Sequence, residues 1–291
     1  MIKIQVPATS ANLGVGFDCM GLAVSLYSTI CFEPSEQELV ISGCPVDFQN
    51  KNNLVYQAFV HGSKFLNLPV PNVKITIENN VPISRGLGSS AVCIVAGLMG
   101  INAWHDNPLT KKELLDLATE MEGHPDNVAP AILGNLNVSF TDDHQDIQTV
   151  QFDVSPKLHF VALVPDYKVS TEKARAILPQ EMTYSKAVYQ IGHAVALSKA
   201  LEIGDLSLIK SAIIDQMHEP FRSQLIPDYQ QAKHICSEYN GVMYISGSGS
   251  TLMALTADEI AANKIIQAIK KSFPKWQAHH LTVDPTGAQI I

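Results

Sequence analysis

Apolar residues alternate with polar ones, or gather with β-branched ones, over residues 3–8, 28–34, 38–43 and 73–79, and each run predicts a strand. The pattern then changes. Residues 91–104, AVCIVAGLMGINAW, are apolar on nearly every side and predict a buried helix. Thr110 with Glu113 three residues later has the form of a capping box, opening a helix with Leu114, Leu117, Ala118 and Met121 on one face. That helix should end at 123–125, where Gly123 releases it and Pro125 cannot extend it. Strands resume at 135–140, 147–154 and 158–165. The later part is mostly helical. Residues 185–202 carry Val188, Ile191 and Val195, with small Ala194 and Ser198, at helical spacing, and Gly204 follows as a C-cap. Further helices are expected at 206–217 and 229–238. Residues 241–256 give two short strands around a glycine–serine turn. A helix at 259–273 stops at Pro274, and 278–283 forms a closing strand.

The chain has 291 residues, enough for two modest domains, and we place the change of domain at 155–156. With 46% hydrophobic and 16% charged residues it is an ordinary globular chain. The net charge of −8 and the absence of any Lys/Arg run disfavour nucleic-acid and anionic-membrane partners. Cys19, Cys31, Cys44, Cys93 and Cys236 are scattered and odd in number, which argues against a disulfide framework or a zinc site and for a reducing compartment. The N-terminus lacks the apolar stretch of a signal peptide, and the run 91–101 is too short to span a bilayer. A soluble, cytoplasmic protein is expected.

The most informative segment is 82–91, PISRGLGSSA, between a strand and the buried helix. Glycines at 86 and 88 permit a sharp turn and close approach to a ligand. The helix start supplies unpaired N–H groups and the positive end of a dipole, and the hydroxyls of Ser89 and Ser90 suit phosphate or magnesium. No Gly-Lys pair exists, so this is not a Walker A loop. Gly86, Gly88 and Ala91 match a dinucleotide fingerprint, but Asp106 lies in a segment unlike a second parallel strand. A plain strand–helix turn is the structural alternative.

The pattern P-x-x-x-G-L-G-S-S-A resembles the phosphate-loop motif of the GHMP kinases. Two further motifs stand in the family's order: PATSANLGVGFD at 7–18 and ISGSGST at 245–251. The long first motif, with HPDNVAPAILG at 124–134, VSTEKARAILP at 169–179 and FRSQLIP at 221–227, is most similar to the homoserine kinase branch. The resemblance spans most of the chain. It implies an α+β fold of two domains, 1–155 and 156–291. The first would be a ribosomal-protein-like left-handed βαβ domain that binds ATP, the second a ferredoxin-like domain, with the active site in the cleft between them. It implies phosphorylation of L-homoserine by ATP with Mg2+, in threonine biosynthesis, and it allows a homodimer. The alternatives are a GHMP kinase for a mevalonate-, shikimate- or sugar-type alcohol, or a non-catalytic metabolite-binding regulator of the same fold.

By resemblance, Pro82, Ile83, Ser84, Arg85, Gly86, Leu87, Gly88, Ser89, Ser90, Ala91 and Val92 surround ATP, with Asn53 of NNLVYQAF near the base. Ser90 and Glu122 would hold magnesium, with Glu120 as the other candidate, because EGHPDN joins the acidic residue to the H-x-D-N element almost directly. Asn12, Asp18, His124, Asn127, Thr171, Arg175 and Arg222 would form the substrate pocket: Asp18 for the ammonium, Arg175 and Arg222 for the carboxylate, Asn127 near the hydroxyl. Thr171 precedes Arg175 by one helical turn, so both can face the cleft. Catalysis is assigned to Asn127, Asp126 and His124, by direct attack assisted by Asn127 or with Asp126 as base. Blander readings stand beside these. Asn12 suits a turn, Asp126 and Asn127 an N-cap, Glu122 a solvated helix end, His124 a structural hydrogen-bonder, and the arginines ordinary ion pairs.

Overall fold

The computed structural model describes all 291 residues. The first part runs β1 (Ile2–Asn12), β2 (Gly16–Pro34), β3 (Leu39–Ser42), α1 (Leu54–Phe65), β4 (Val73–Asn79), α2 (Ser89–Trp104), α3 (Lys111–Glu122), α4 (Pro125–Leu133), β5 (Leu136–Thr141) and β6 (Ile147–Phe152). The second runs β7 (His159–Val164), α5 (Thr171–Ala176), α6 (Tyr184–Ile203), α7 (Leu206–Ala212), α8 (Glu219–Arg222), α9 (Tyr229–Glu238), β8 (Val242–Ile245), β9 (Leu252–Thr256), α10 (Glu259–Ser272), β10 (Gln277–Leu281) and β11 (Gln289–Ile290). This is an α+β fold with two sheets. No helix is long and apolar enough to cross a membrane.

The first sheet has the order β11-β1-β2-β4-β3, with β5 and β6 added beside the first half of β2. β2 changes partner along its length: Met20–Leu22 pair with β5, and Ser28–Pro34 with β4. Its first half is largely buried and lacks a polar alternation, so no period of two marks it as a strand in the sequence. α2 is apolar all round, as expected, and Ile94, Val95 and Leu98 lie within the main core. α3 carries the complete Thr110–Glu113 capping box and ends on left-handed Gly123. Pro125 does more than stop α3; it begins α4, where its missing N–H is harmless.

The second sheet is antiparallel in the order β10-β7-β9-β8. Phe160, Ala162, Met253 and Leu255 on one face join the core of the first sheet, while Val161, Leu163 and Ala254 pack in a second cluster with residues of α9 and α10. The two sheets are thereby locked through a shared apolar layer.

Three sequence expectations change. The strand at 278–283 is not the last element: the tail returns so that β11 pairs with Ile4 and Gln5. The end of the chain thus belongs to the first sheet, although it lies past residue 156. The helix expected at 206–217 stops at Ala212. Below it, Asp215 Oδ2 accepts from the backbone N–H groups of His218 and Glu219, so the chain turns into α8. Finally, α6 turns Val188, Ile191 and Val195 outward, at 68%, 65% and 69% exposure. It buries Gln190, Leu197, Ser198, Ala200 and Leu201 instead.

Candidate active site

The phosphate-loop segment leaves β4 and turns back through Ser84, Gly86 and Gly88, all with positive φ. Gly88 is the N-cap of α2 at φ +66°, and it offers no side-chain cap. The first-turn amides of α2 therefore have neither an intrahelical partner nor a local carboxylate, the state that suits an anionic ligand. Both halves of the chain hold the loop in shape. Thr9 N–H donates to Leu87 O, Ser246 Oγ to Gly86 O (2.6 Å), and Thr251 N–H to Arg85 O (2.9 Å). Ser10 Oγ lies 3.0 Å from Tyr244 Oη and 2.8 Å from Ser246 Oγ, closing a buried network from β1 to the turn after β8. The ISGSGST motif thus acts here as a brace beneath the loop.

In front of the loop lies a cavity of about 160 Å³ with no hydrophobic residue in its lining. It brings together Asn12, Asp18, Ser84, Gly86, Gly88, Ser89, Ser90, Glu122, His124, Asp126, Asn127, Thr171, Arg175 and Arg222, nearly all the residues assigned from sequence to substrate and metal. Gly247 and Ser248 complete it. At one end Ser90 Oγ donates to Glu122 Oε2 at 2.6 Å. Burial raises the Glu122 pKa, and the Ser90 hydrogen bond opposes that shift. These two oxygens fit a hard cation that takes its remaining ligands from phosphate and water. No group of three or more His, Cys, Asp or Glu gathers anywhere to make an all-protein cage. Glu120 faces away from the cavity lining, and its carboxylate sits 3.5 Å from His61 Nε2.

In the middle, Thr9 Oγ1 donates to Asn127 Oδ1 (2.8 Å), and Asn127 Nδ2 donates to Asp126 Oδ1 (3.3 Å). The same Asp126 oxygen pairs with His124 Nδ1. That contact raises the His124 pKa above its ordinary value. Asp126 and Asn127 lie in the first turn of α4, whose N-cap is His124, so neither is the cap itself.

At the other end stand the charges. Arg175 makes a two-pronged pair with Asp18, at 2.8 and 2.9 Å. The two groups assigned to opposite ends of a substrate thus hold each other. Arg222 is buried and gives its Nε–H to Ala174 O and an Nη1–H to Gly247 O; it has no carboxylate partner. Burial pushes its pKa down. Asn12 donates to Gly247 O and accepts from the Asp18 N–H, fixing the turn between β1 and β2. Thr171 and Arg175 both line the cavity, and Thr171 Oγ1 lies 3.2 Å from Ser248 Oγ.

Several assigned residues are placed elsewhere. Asn53 caps α1, accepting from Val55 N–H and donating to Phe48 O, and it does not line this cavity. Pro82, Ile83 and Arg85 line a separate shallow hollow with Val164, Pro165 and Asp166, and Arg85 ties the loop to Pro165 O and Asp166 O. Leu87, Ala91 and Val92 are core residues. Conversely, the sequence patterns assign no role to Thr9, Ser10 or Tyr244, which the fold places in the network beneath the loop. The signal available for Thr9 and Ser10 was a pair of hydroxyls inside an otherwise apolar, fully buried strand end.

The family model for the GHMP kinases N terminal domain matches residues 53–135, and that for the GHMP kinases C terminal domain matches 196–275. A homoserine kinase from Clostridium botulinum (Type A) is 40% identical over 296 residues, covering 100% of this chain and 98% of its own. The crystal structure of a homoserine kinase from Cytophaga hutchinsonii is similar at TM-score 0.89 and 32% identity, covering 100% of this chain and 97% of its own. A Leishmania major mevalonate kinase in complex with R-mevalonate shares the fold at TM-score 0.77 and 17% identity, covering 98% of this chain and 96% of its own.

Proposed function

With this chain a member of the GHMP kinases and, within them, of the homoserine kinases, we propose a division of labour among the cavity residues. The enzyme phosphorylates homoserine at the expense of ATP, in threonine biosynthesis. The loop from Ser84 to Ser90 cradles the phosphates with its free amides. Ser90 and Glu122 hold magnesium, which neutralises phosphate charge when bound. The adjoining Thr9–Asn127–Asp126–His124 chain positions the attacking hydroxyl at Asn127. Asp126 already accepts from two neighbours, so it orients Asn127 and His124 more readily than it takes a proton. Phosphoryl transfer asks chiefly for such alignment and for charge neutralisation.

The observation that carries the substrate assignment is the grouping of Asp18, Arg175 and Arg222 on one wall. An amino-acid zwitterion offers a carboxylate to the arginines and an ammonium to Asp18. A plain carboxylate or a neutral sugar would leave Asp18 facing no cation but Arg175. A coupled assay with L-homoserine, mevalonate, shikimate and galactose should show turnover with homoserine alone. In the same assay Glu122→Gln should raise the magnesium needed for half-maximal rate by about tenfold or more, because outer or inner ligand loss commonly weakens metal sites by that order. An unchanged magnesium requirement would remove Glu122 from the metal role.

The β10-β7-β9-β8 order supports the ferredoxin-like reading of the second domain, and the five free cysteines support a reducing, cytoplasmic setting. The outward face of α6 supports a homodimer. Tyr184, Val188, Ile191 and Val195 form one exposed apolar stripe. Gly192 interrupts the same helix with open space where a Cβ would stand. A glycine there costs the lone helix roughly 1 kcal/mol relative to alanine, and the close approach of a second copy's helix accounts for it. Light scattering should give twice the 31.7 kDa chain mass, and Ile191→Glu should halve it. A wild-type mass of one chain would rule the dimer out.

A further inference from the structure

We propose that Phe17 is a positioning residue, holding Arg175 and Arg222 as one carboxylate clamp. This rests on the reading that those arginines receive the substrate carboxylate. Phe17 sits half-buried between Gly16 and Asp18 at the start of β2. The Arg222 guanidinium carbon lies 4.8 Å from its ring centroid, and that of Arg175 lies 5.6 Å away. Two cations from separate helices, α5 and α8, thus meet one aromatic ring.

The chemistry of that choice is specific. Arg222 has lost most of its water and hydrogen-bonds only to carbonyls; the nearby Asp18 carboxylate favours its charge, and the like charge of Arg175 opposes it. Asp18 already pairs with Arg175, and a second carboxylate beneath the pair would neutralise the clamp and repel the substrate carboxylate. The face of an aromatic ring attracts guanidinium without contributing a competing anion. The ring therefore steadies the pair without adding a second anion beside Asp18, and Arg222 keeps its charge unpaired by any carboxylate.

The ring is itself fixed from behind. His218 lies 5.2 Å from it, centroid to centroid, with the planes tilted by 30°. His218 is fully buried, with Nε2 2.6 Å from Gly14 O and its backbone N–H on Asp215 Oδ2. Burial lowers the pKa of this imidazole, which disfavours a third cation beside the arginines. Gln190 of α6 donates to both Asp215 Oδ1 and Val15 O, joining the support to the turn that carries Phe17. The backing thus spans the β1–β2 turn, α6 and the start of α8.

The test compares Phe17→Leu, Phe17→Tyr and Arg222→Met in the full enzyme by steady-state kinetics. Phe17→Leu should raise the KM for homoserine about tenfold, the order expected from losing two such contacts, with the KM for ATP within about twofold. Phe17→Tyr, which keeps the π-face, should restore the homoserine KM. An unchanged homoserine KM in Phe17→Leu, an equal rise in both KM values, or failure of tyrosine to rescue would each overturn the proposal. If Phe17→Leu does not fold, Phe17→Met takes its place in the same comparison. Arg222→Met separates the underlying reading: no change in homoserine KM there means the clamp itself is wrong. A rise there without one in Phe17→Leu means that only the role of Phe17 is wrong.

Discussion

Asn127→Ala should lower kcat by about 10²–10³-fold, the range seen when a positioned polar contact to a reacting group is removed, with ATP binding retained. Asn127 is set by two contacts it does not choose: Thr9 Oγ1 fixes its carbonyl oxygen, and Asp126 takes its amide N–H. Its orientation is therefore determined before substrate arrives. Alanine removes that fixed group while the loop keeps its own bonds to Thr9 N–H, Ser246 and Thr251. The fold should tolerate the change, since Asp126 retains His124 and only the Thr9 hydroxyl loses its acceptor, a cost of roughly 1–3 kcal/mol. Calorimetric ATP titration and steady-state turnover, measured on the same preparation, check both halves. Unchanged turnover would refute the role of Asn127. The companion Asp126→Asn distinguishes orientation from base catalysis. If Asp126 only orients, an amide that still accepts from His124 should leave more activity than Asn127→Ala; if Asp126 removes the proton, it should leave less.

Gly88→Ala should be the more damaging change, because it strikes the loop and Asn127 together. The residue stands at φ +66°, and an added Cβ would lie 1.9 Å from Thr9 Oγ1 and 3.1 Å from Asn127 Oδ1. The left-handed conformation alone costs a non-glycine residue about 1–2 kcal/mol, and displacing packed neighbours adds about 1–3 kcal/mol. The Thr9 hydroxyl must move, and the contact that orients Asn127 is lost with it. We expect a melting temperature several degrees lower and activity reduced by at least about 100-fold, since misplacement of about 1 Å costs rates of that order. Purified Gly88→Ala with near wild-type turnover would mean that the loop adapts, and that the tight seat of Gly88 on Thr9 is unimportant.

What could be read in the chain beforehand follows from how local each cause is. The Thr110–Glu113 cap, the stop at Gly123 and the positive φ of Gly86 and Gly88 depend on a few neighbouring residues, and all are present. The apolar stripe of α6 was visible as a period, but a period does not say which face meets the rest of the chain. The Arg175–Asp18 pair joins residues 157 apart, so spacing could suggest each partner's chemistry but not their meeting. Thr9 and Ser10 resemble ordinary strand hydroxyls until the fold buries them against Asn127 and Tyr244. Asn53, matched by motif to the base site, also serves the local chain as the cap of α1, a use that its spacing before the helix leaves open.

The brace beneath the phosphate loop bears on how such a protein can be divided and recombined. The loop at 82–91 is contiguous in sequence, yet its shape depends on Thr9 and Ser10 before it and on Ser246 and Thr251 far after it. A chimera that exchanged the second half of the chain for that of a distant relative would keep every residue of the loop and still lose its seat, unless the new half returned a hydroxyl to Gly86 O and an N–H to Arg85 O. The heritable unit of this site is a set of matched positions in both halves, and natural variation should move through those positions together.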